Sequence, residues 1–144
     1  MNECIGRAAP GLLPLLLRAG GAVADQLERS LEPWGLSLAK LRALEQLDAA
    51  PAGLPLGHLA ERLCCVKSNV TQLVDRLESD GFVRRVPDPS DRRCVVATLT
   101  ERGRASFRGA SAAREQAERE LLERLSDGDR ERLVQLLARV AAQE

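Results

Sequence analysis

The feature that most constrains the fold is a change in the spacing of apolar residues between positions 56 and 99. Up to about residue 79, apolar residues recur every three or four positions, which is typical of helices. A tight break at Cys64 and Cys65 divides this stretch into a short helix and a second helix over 67–79. Two strand-like runs follow, at 82–86 and 94–99, around a loop rich in Pro, Asp and Arg. The order predicts a helix-turn-helix followed by a β-hairpin.

Helical spacing also surrounds this central part. A first helix ends near Pro33, and Ser37 is placed to cap a second. Thr100 is placed to cap a long fifth helix, and Ser126 with Asp129 predicts a capping box for a sixth. We therefore expect a mainly α fold with a small β-hairpin wing. The chain is one domain, 1–144, with a winged helix-turn-helix at about 37–100 and flanking helices at about 10–32 and 101–143.

Composition limits the core. Of the 144 residues, 44% are apolar but only 2% are aromatic, and there is no tyrosine. The core must therefore be built from aliphatic side chains, which favours helix packing over a β-sandwich.

Charge is unevenly distributed although the formal net charge is zero. Residues 62–104 hold nine Arg and Lys against six Asp and Glu, whereas residues 1–61 hold five against seven and residues 105–144 hold seven against eight. Local charge decides nucleic-acid binding more than net charge does. The positive excess coincides with the predicted helix-turn-helix and hairpin.

Cysteine use and hydropathy indicate a cytoplasmic protein with reduced thiols. Cys4, Cys64, Cys65 and Cys94 show neither a secreted disulfide pattern nor the CxxC spacing of zinc sites. The leucine-rich stretch at 12–17, followed by the apolar residues 22–24, resembles a signal peptide, but Arg18 and Gly20-Gly21 interrupt this tract and Glu3 lies where a basic region would be needed. No segment approaches the ~20 apolar residues of a membrane span, and no cofactor motif is present.

The second helix of the motif has two different faces. Val70, Leu73, Val74 and Leu77 form a stripe that a core would bury. The other side carries short polar side chains and an arginine, which suit contacts with base edges and phosphates. These are Ser68, Asn69, Thr71, Gln72 and Arg76, beside Asp75 and Ser79. An ordinary solvated helix face has the same composition, so both interpretations stay open.

The hairpin loop ends in Asp91, Arg92 and Arg93. Arginine on a rigid tip fits a narrow minor groove, where negative potential is concentrated, and Asp91 is placed to orient Arg93. A surface turn with an ion pair of little energetic weight is the alternative.

Five runs in order resemble the MarR family of bacterial transcription regulators: LAERL (59–63), SNVTQLVDRLE (68–78), GFVR (81–84), DPSDRR (88–93) and LTERG (99–103). The resemblance implies a homodimer joined by the first, fifth and sixth helices, bound to a pseudo-palindromic operator in double-stranded DNA. It implies repression relieved by a small molecule or an oxidant. By position it assigns Ser68, Asn69, Thr71, Gln72 and Arg76 to the recognition helix, and Arg84, Asp91, Arg92 and Arg93 to the wing.

The sequence departs from that family at the turn. Cys64 stands where a helix commonly ends with positive φ and a small flexible residue is expected. Val66 replaces the usual side-chain N-cap, and Cys65 is expected to be a small buried core residue. The helix N-terminus and Lys67 favour a thiolate at Cys64.

Cys64, Cys65 and Cys94 are therefore candidates for redox or soft-metal sensing, with Cys94 as a possible spatial partner of Cys64. Inert buried thiols are the alternative. His58 joins the two neighbouring cysteines in a minor soft-metal hypothesis.

Three candidate residues line the expected inducer cleft, namely Trp34, Leu38 and Arg42, for which core packing is the alternative. The same fold also serves protein–protein assembly without DNA binding, and the concentration of arginines favours DNA. An enzyme is not expected, because the chain has no Ser/His/Asp set and no phosphate loop.

Overall fold

The structure, a computed structural model, describes residues 11–142. Cys4 and the outermost positions of the two predicted flanking segments, residues 10 and 143, lie outside this part. The helices are α1 (Leu12–Leu31), α2 (Leu38–Asp48), α3 (Leu56–Leu63), α4 (Lys67–Ser79), α5 (Glu101–Leu122) and α6 (Asp127–Ala141), with a 3₁₀ turn at Glu32–Trp34. The strands are β1 (Leu54–Pro55), β2 (Val83–Pro87) and β3 (Val95–Leu99).

Side-chain caps begin three of the helices, as predicted. The Ser37 hydroxyl accepts a hydrogen bond from the Lys40 amide at 3.3 Å, and Thr100 accepts one from Gly103 at 2.9 Å. Ser126 accepts one from the Asp129 amide at 3.2 Å. Asp129 accepts in turn from the Ser126 hydroxyl at 2.7 Å, instead of from its backbone as in a full capping box.

The sheet is antiparallel and has the order β1-β3-β2. Val83 pairs with Leu99 and Val86 with Val96, which confirms the predicted hairpin. From Pro51, Gly53 and Pro55 the stretch after α2 was expected to be a loop, and this was wrong at β1: Leu54 pairs with Ala97 along the edge of β3 opposite β2. A strand of two residues is too short to show an alternating pattern, so only its pairing reveals it.

The core is aliphatic, as composition predicted, with Phe82 as its one fully buried aromatic residue in the described part. Leucines and valines of the central elements provide the most deeply buried side chains: Leu31, Leu41, Leu44, Leu47, Leu59, Val70, Val74, Leu77, Val83 and Val96. α5 packs along α1 and α2, whereas α6 has no buried residue.

The start of α5 is fixed against the end of α4. The Thr100 hydroxyl donates to the Gly81 carbonyl at 2.7 Å, and the Thr100 amide donates to the Phe82 carbonyl at 3.0 Å. A side chain at Gly103 would overlap that same Phe82 carbonyl. The close approach requires glycine and ties the long helix rigidly to the hairpin.

Candidate nucleic-acid interface

The turn between α3 and α4 is a left-handed helix cap. Cys64 has φ 52° and ψ 41° and is the one non-glycine residue with positive φ between residues 11 and 142. The Cys64 amide donates to the Glu61 carbonyl at 3.1 Å, and the Cys65 amide donates to the Ala60 carbonyl at 3.0 Å. These two bonds make a Schellman motif, in which glycine usually holds this position. The prediction of positive φ is confirmed, at a cost of about 1 kcal/mol for a side chain there.

Cys65 is exposed, so the expectation that it would be a core residue was wrong. The turn leaves its side chain at the surface, where the thiol donates to the Leu63 carbonyl at 3.3 Å. Leu63 and Val70 fill the buried positions on either side of the turn. Val66 caps α4 without any side-chain hydrogen bond, as predicted.

α4 is held by its apolar stripe. Val70, Val74 and Leu77 are at most 1% exposed, and Leu73 is half-buried against the same core. At its C-terminal end Asp80 forms an ion pair of 2.7 Å with Lys40 of α2. These contacts fix which side of the helix faces outward.

The polar residues predicted on α4 lie on its outward side. Ser68, Asn69, Gln72 and Arg76 are exposed. Thr71 is half-buried, and its hydroxyl donates to the Lys67 carbonyl at 3.0 Å. The hydroxyl proton of Thr71 is thus engaged within the helix, which leaves its oxygen and methyl group for a partner.

Arg85 joins α4 to the hairpin, a role that we did not predict. Its guanidinium contacts Asp75 at 2.5 Å and also pairs with Glu78, whose carboxylate accepts from the Arg85 amide at 3.1 Å. The hydrogen bond that the Arg85 guanidinium donates to Asp75 contributes most to raising the pKa of Arg85. Asp75 is therefore committed to the hairpin. The sequence signal for this role was the i, i+3 spacing of Asp75 and Glu78 on one side of α4, shortly before a strand that carries Arg85.

The wing presents Arg84, Arg92 and Arg93, all exposed. Asp91 was predicted to orient the Arg93 guanidinium, and the geometry differs: its carboxylate accepts from the Arg93 backbone amide at 3.0 Å. Asp88 likewise accepts from the Ser90 amide at 2.8 Å and the Ser90 hydroxyl at 2.6 Å, and the hydroxyl bond is the larger cause of its lowered pKa. Both aspartates shape the loop backbone because their carboxylates take the place of turn hydrogen bonds.

The three described thiols, Cys64, Cys65 and Cys94, are free and exposed. The expectation that inert thiols would be buried is therefore wrong, and no disulfide joins Cys64 to Cys94. No three His, Cys, Asp or Glu side chains within residues 11–142 cluster so as to hold a metal ion. The soft-metal cluster with His58, which is exposed, is accordingly not formed.

Cys94 has a distinct environment. Its thiol lies 3.6 Å from the Asp91 carboxylate. The hydrogen bond to that carboxylate, followed by its negative charge, raises the pKa of Cys94.

The three candidate residues of the inducer cleft lie on the 3₁₀ turn and α2, two elements that contact α5. Trp34 is 38% exposed, and its ring packs so closely on Gly109 of α5 that a side chain there would overlap it. Leu38 packs half-buried against the core and Arg42 is exposed. Four surface cavities of about 380–560 Å³ are lined by residues of α1, α5, α6 and the loop between α5 and α6, and by none of these three.

None of the helices between residues 11 and 142 combines the length and apolar character that a bilayer crossing requires.

Comparison with known proteins shows which protein family shares this sequence and geometry. The sequence model of the MarR family matches residues 36–95. The HTH-type transcriptional repressor Rv2887 of Mycobacterium tuberculosis is 33% identical over 112 residues, covering 78% of this chain and 80% of that protein. The chain belongs to the MarR family.

Solved structures of the transcriptional repressor CouR match nearly all of this chain. The transcriptional repressor CouR bound to a 23-mer DNA duplex is 30% identical, with a TM-score of 0.79, covering 99% of this chain and 100% of that one. CouR of Rhodococcus jostii RHA1 bound to p-coumaroyl-CoA is 28% identical, with a TM-score of 0.75, covering 96% and 98%. The likeness confirms the MarR resemblance and the mainly helical winged fold.

Because the pKa of Cys94 is raised, its alkylation by iodoacetamide should reach half its maximal rate at a higher pH than that of a free thiol. Asp91→Asn removes the carboxylate and should lower that pH. Peptide mass spectrometry across pH 7–10 measures the rate at Cys94 alone. Asp88→Asn is the matched control, since Asp88 acts more weakly on Cys94; an unchanged profile in Asp91→Asn contradicts the assignment.

Proposed function

We propose that the chain is a dimeric, sequence-specific DNA-binding regulator that acts as a repressor. The observation that carries the proposal is the two-sided character of α4. Its apolar stripe is at most 1% exposed at Val70, Val74 and Leu77, while four polar side chains stand outward on the other side. The binding of CouR to a DNA duplex supports this use of the same fold.

The recognition helix enters the major groove in this proposal. Asn69 and Gln72 offer paired donors and acceptors to base edges, and Ser68 and Thr71 offer hydroxyl oxygens. Arg76, in the last turn of α4, is placed for a phosphate or a guanine edge. The ion pairs of Arg85 with Asp75 and Glu78 hold the wing at a constant distance from this helix.

The wing supplies the second set of contacts. Arg92 and Arg93 at its tip approach the minor groove, and Arg84 approaches the adjacent phosphates. Asp91 contributes by fixing the backbone that carries Arg93. The three exposed arginines of the hairpin, Arg84, Arg92 and Arg93, favour DNA over the alternative of a pure assembly module, which would have no salt-dependent affinity for DNA.

Dimerisation occupies the flanking segments, 10–32 and 101–143, around a winged helix-turn-helix at 37–100. α1 and α6 expose apolar side chains to a degree unusual for a monomer, with Leu12 at 74% and Val134 at 67%. Leu12, Leu16, Leu136 and Leu137 together line an apolar cavity of about 440 Å³. Proteins of the MarR family are dimeric, and a second copy of the chain would cover this surface.

Arg93→Ala should weaken operator binding by roughly 1–3 kcal/mol and reduce the slope of log affinity against log salt by about one unit. Gln72→Ala should instead relax discrimination between operator variants. Fluorescence anisotropy at several salt concentrations measures both, on the promoter DNA upstream of the gene and on random DNA. Glu61→Ala is the surface control; equal losses for Gln72→Ala on operator and random DNA would refute base reading.

Leu137→Glu should raise the dimer dissociation constant at least tenfold, because it places a charge in the apolar surface formed by α1 and α6. Leu137→Met keeps the volume and should leave the dimer intact. Sedimentation equilibrium at micromolar concentration measures both, and a monomeric unmodified chain contradicts the proposal.

Relief of repression by a small molecule is the second part of the proposal, with Trp34, Leu38 and Arg42 lining the binding cleft. The position of Trp34 against Gly109 supports it, since this contact joins the turn between α1 and α2 to α5. A ligand wedged at this junction would alter the separation of the two recognition helices. Because CouR is bound to p-coumaroyl-CoA in its solved structure, this compound is the first ligand to test.

Trp34 is the one tryptophan of the chain and reports directly on this cleft. A ligand that releases the operator should change Trp34 fluorescence with the same midpoint. Arg42→Ala should raise that midpoint at least tenfold for an anionic ligand such as p-coumaroyl-CoA, whereas Arg124→Ala, on the loop before α6, should not. Operator release with unchanged Trp34 fluorescence would show that the ligand binds at another site.

A further inference from the structure

Cys64 and Cys65 form a pair of neighbouring thiols at the centre of the helix-turn-helix. Both are exposed and free. The pair lies on the three-residue connection between α3 and α4, directly before the N-cap of the recognition helix. None of the roles assigned above to the DNA-binding residues uses it.

A direct disulfide between two neighbouring cysteines is sterically unfavourable. Neighbouring Cα atoms are about 3.8 Å apart, shorter than the roughly 4.4–6.8 Å that disulfides span. A ligand that accepts both sulfurs through one bridging atom enlarges the ring and relieves that restraint. Thiolate sulfur is a soft donor and favours soft acceptors.

We propose that Cys64 and Cys65 together bind a trivalent, singly substituted arsenical. Its arsenic carries one carbon group and two exchangeable hydroxyls, which match two thiols. Two arsenic–sulfur bonds form and two arsenic–hydroxyl bonds break, while the thiol protons leave with the hydroxyls as two waters. Arsenic stays trivalent, so no oxidant or reductant is needed.

Cys94 is not a member of this site. It lies at the base of the wing, where its thiol interacts with the Asp91 carboxylate instead of with a second thiol. The arsenical therefore selects the neighbouring pair over the single thiol, because two bonds to one protein hold it far more tightly than one.

Binding at the pair acts on the recognition helix, a consequence that rests on the proposed DNA-binding function. The Cys65 thiol loses its hydrogen bond to the Leu63 carbonyl when its proton leaves. Closing a ring between the two side chains also strains the left-handed backbone of Cys64 and the two cap hydrogen bonds. Val66 adds no side-chain cap to hold the start of α4, so Ser68 and Asn69 shift and operator affinity falls.

Phenylarsine oxide is the probe, added at one equivalent to the reduced full-length protein. Intact-mass spectrometry should show one phenylarsenic group per chain, with two hydrogens lost, in wild type and in Cys94→Ser. Cys65→Ala and Cys64→Gly should each lose the stable adduct. Glycine suits the positive φ of Cys64, so this variant stays folded. 2,3-Dimercaptopropanol should remove the group, whereas equimolar 2-mercaptoethanol should not.

Loss of the adduct in Cys94→Ser, or its retention in either Cys64→Gly or Cys65→Ala, would overturn the site. The second arm measures operator affinity, which should fall at least tenfold with phenylarsine oxide in wild type and stay unchanged in Cys65→Ala. An adduct without this loss overturns the coupling. Failure of the untreated protein to bind its upstream DNA overturns the proposed function, while the mass measurement still decides the site.

Discussion

The burial of one stripe of α4 governs everything that the chain can present to a partner. Val70, Val74 and Leu77 pack into the aliphatic core, and a helix so anchored has a fixed rotation about its axis. The outward positions of Asn69 and Gln72 follow from that rotation and not from any interaction of their own. A change that loosened the stripe would displace several polar contacts together, because all of them stand on one rigid element.

Contacts of three further residues, Lys40, Arg85 and Thr100, fix the position of α4 relative to the rest of the molecule. Lys40 pairs with Asp80 where α4 ends, and Arg85 pairs with Asp75 and Glu78 along its side. Thr100 then fixes α5 to the backbone that follows α4. Exposed ion pairs of this kind contribute little to stability. Their value is geometric, since they set the wing and the long helix in a constant relation to the recognition helix.

How well the sequence predicts a feature of this structure depends on how far apart in the chain the interacting residues lie. Helix starts at Ser37, Thr100 and Ser126 follow from local hydrogen bonding and were found correctly. β1 was missed because its identity lies in pairing with a strand some forty residues away. The ion pairs of Arg85 span only seven and ten residues, so a local signal was present on α4 and was overlooked. Cys65 was misplaced because burial at a turn depends on how the chain leaves a left-handed residue.

The turn between α3 and α4 lacks the residues that its local geometry prefers at positions 64 and 66. Glycine at position 64 would relieve about 1 kcal/mol of backbone strain, and a hydroxyl at position 66 would add about 1 kcal/mol of capping. The chain has a cysteine and a valine there, so the connection before α4 is held mainly by the two backbone bonds of the Schellman motif. Because this connection has so few restraints, a chemical change at the side chains of Cys64 or Cys65 can displace it more easily than any other part of the interface.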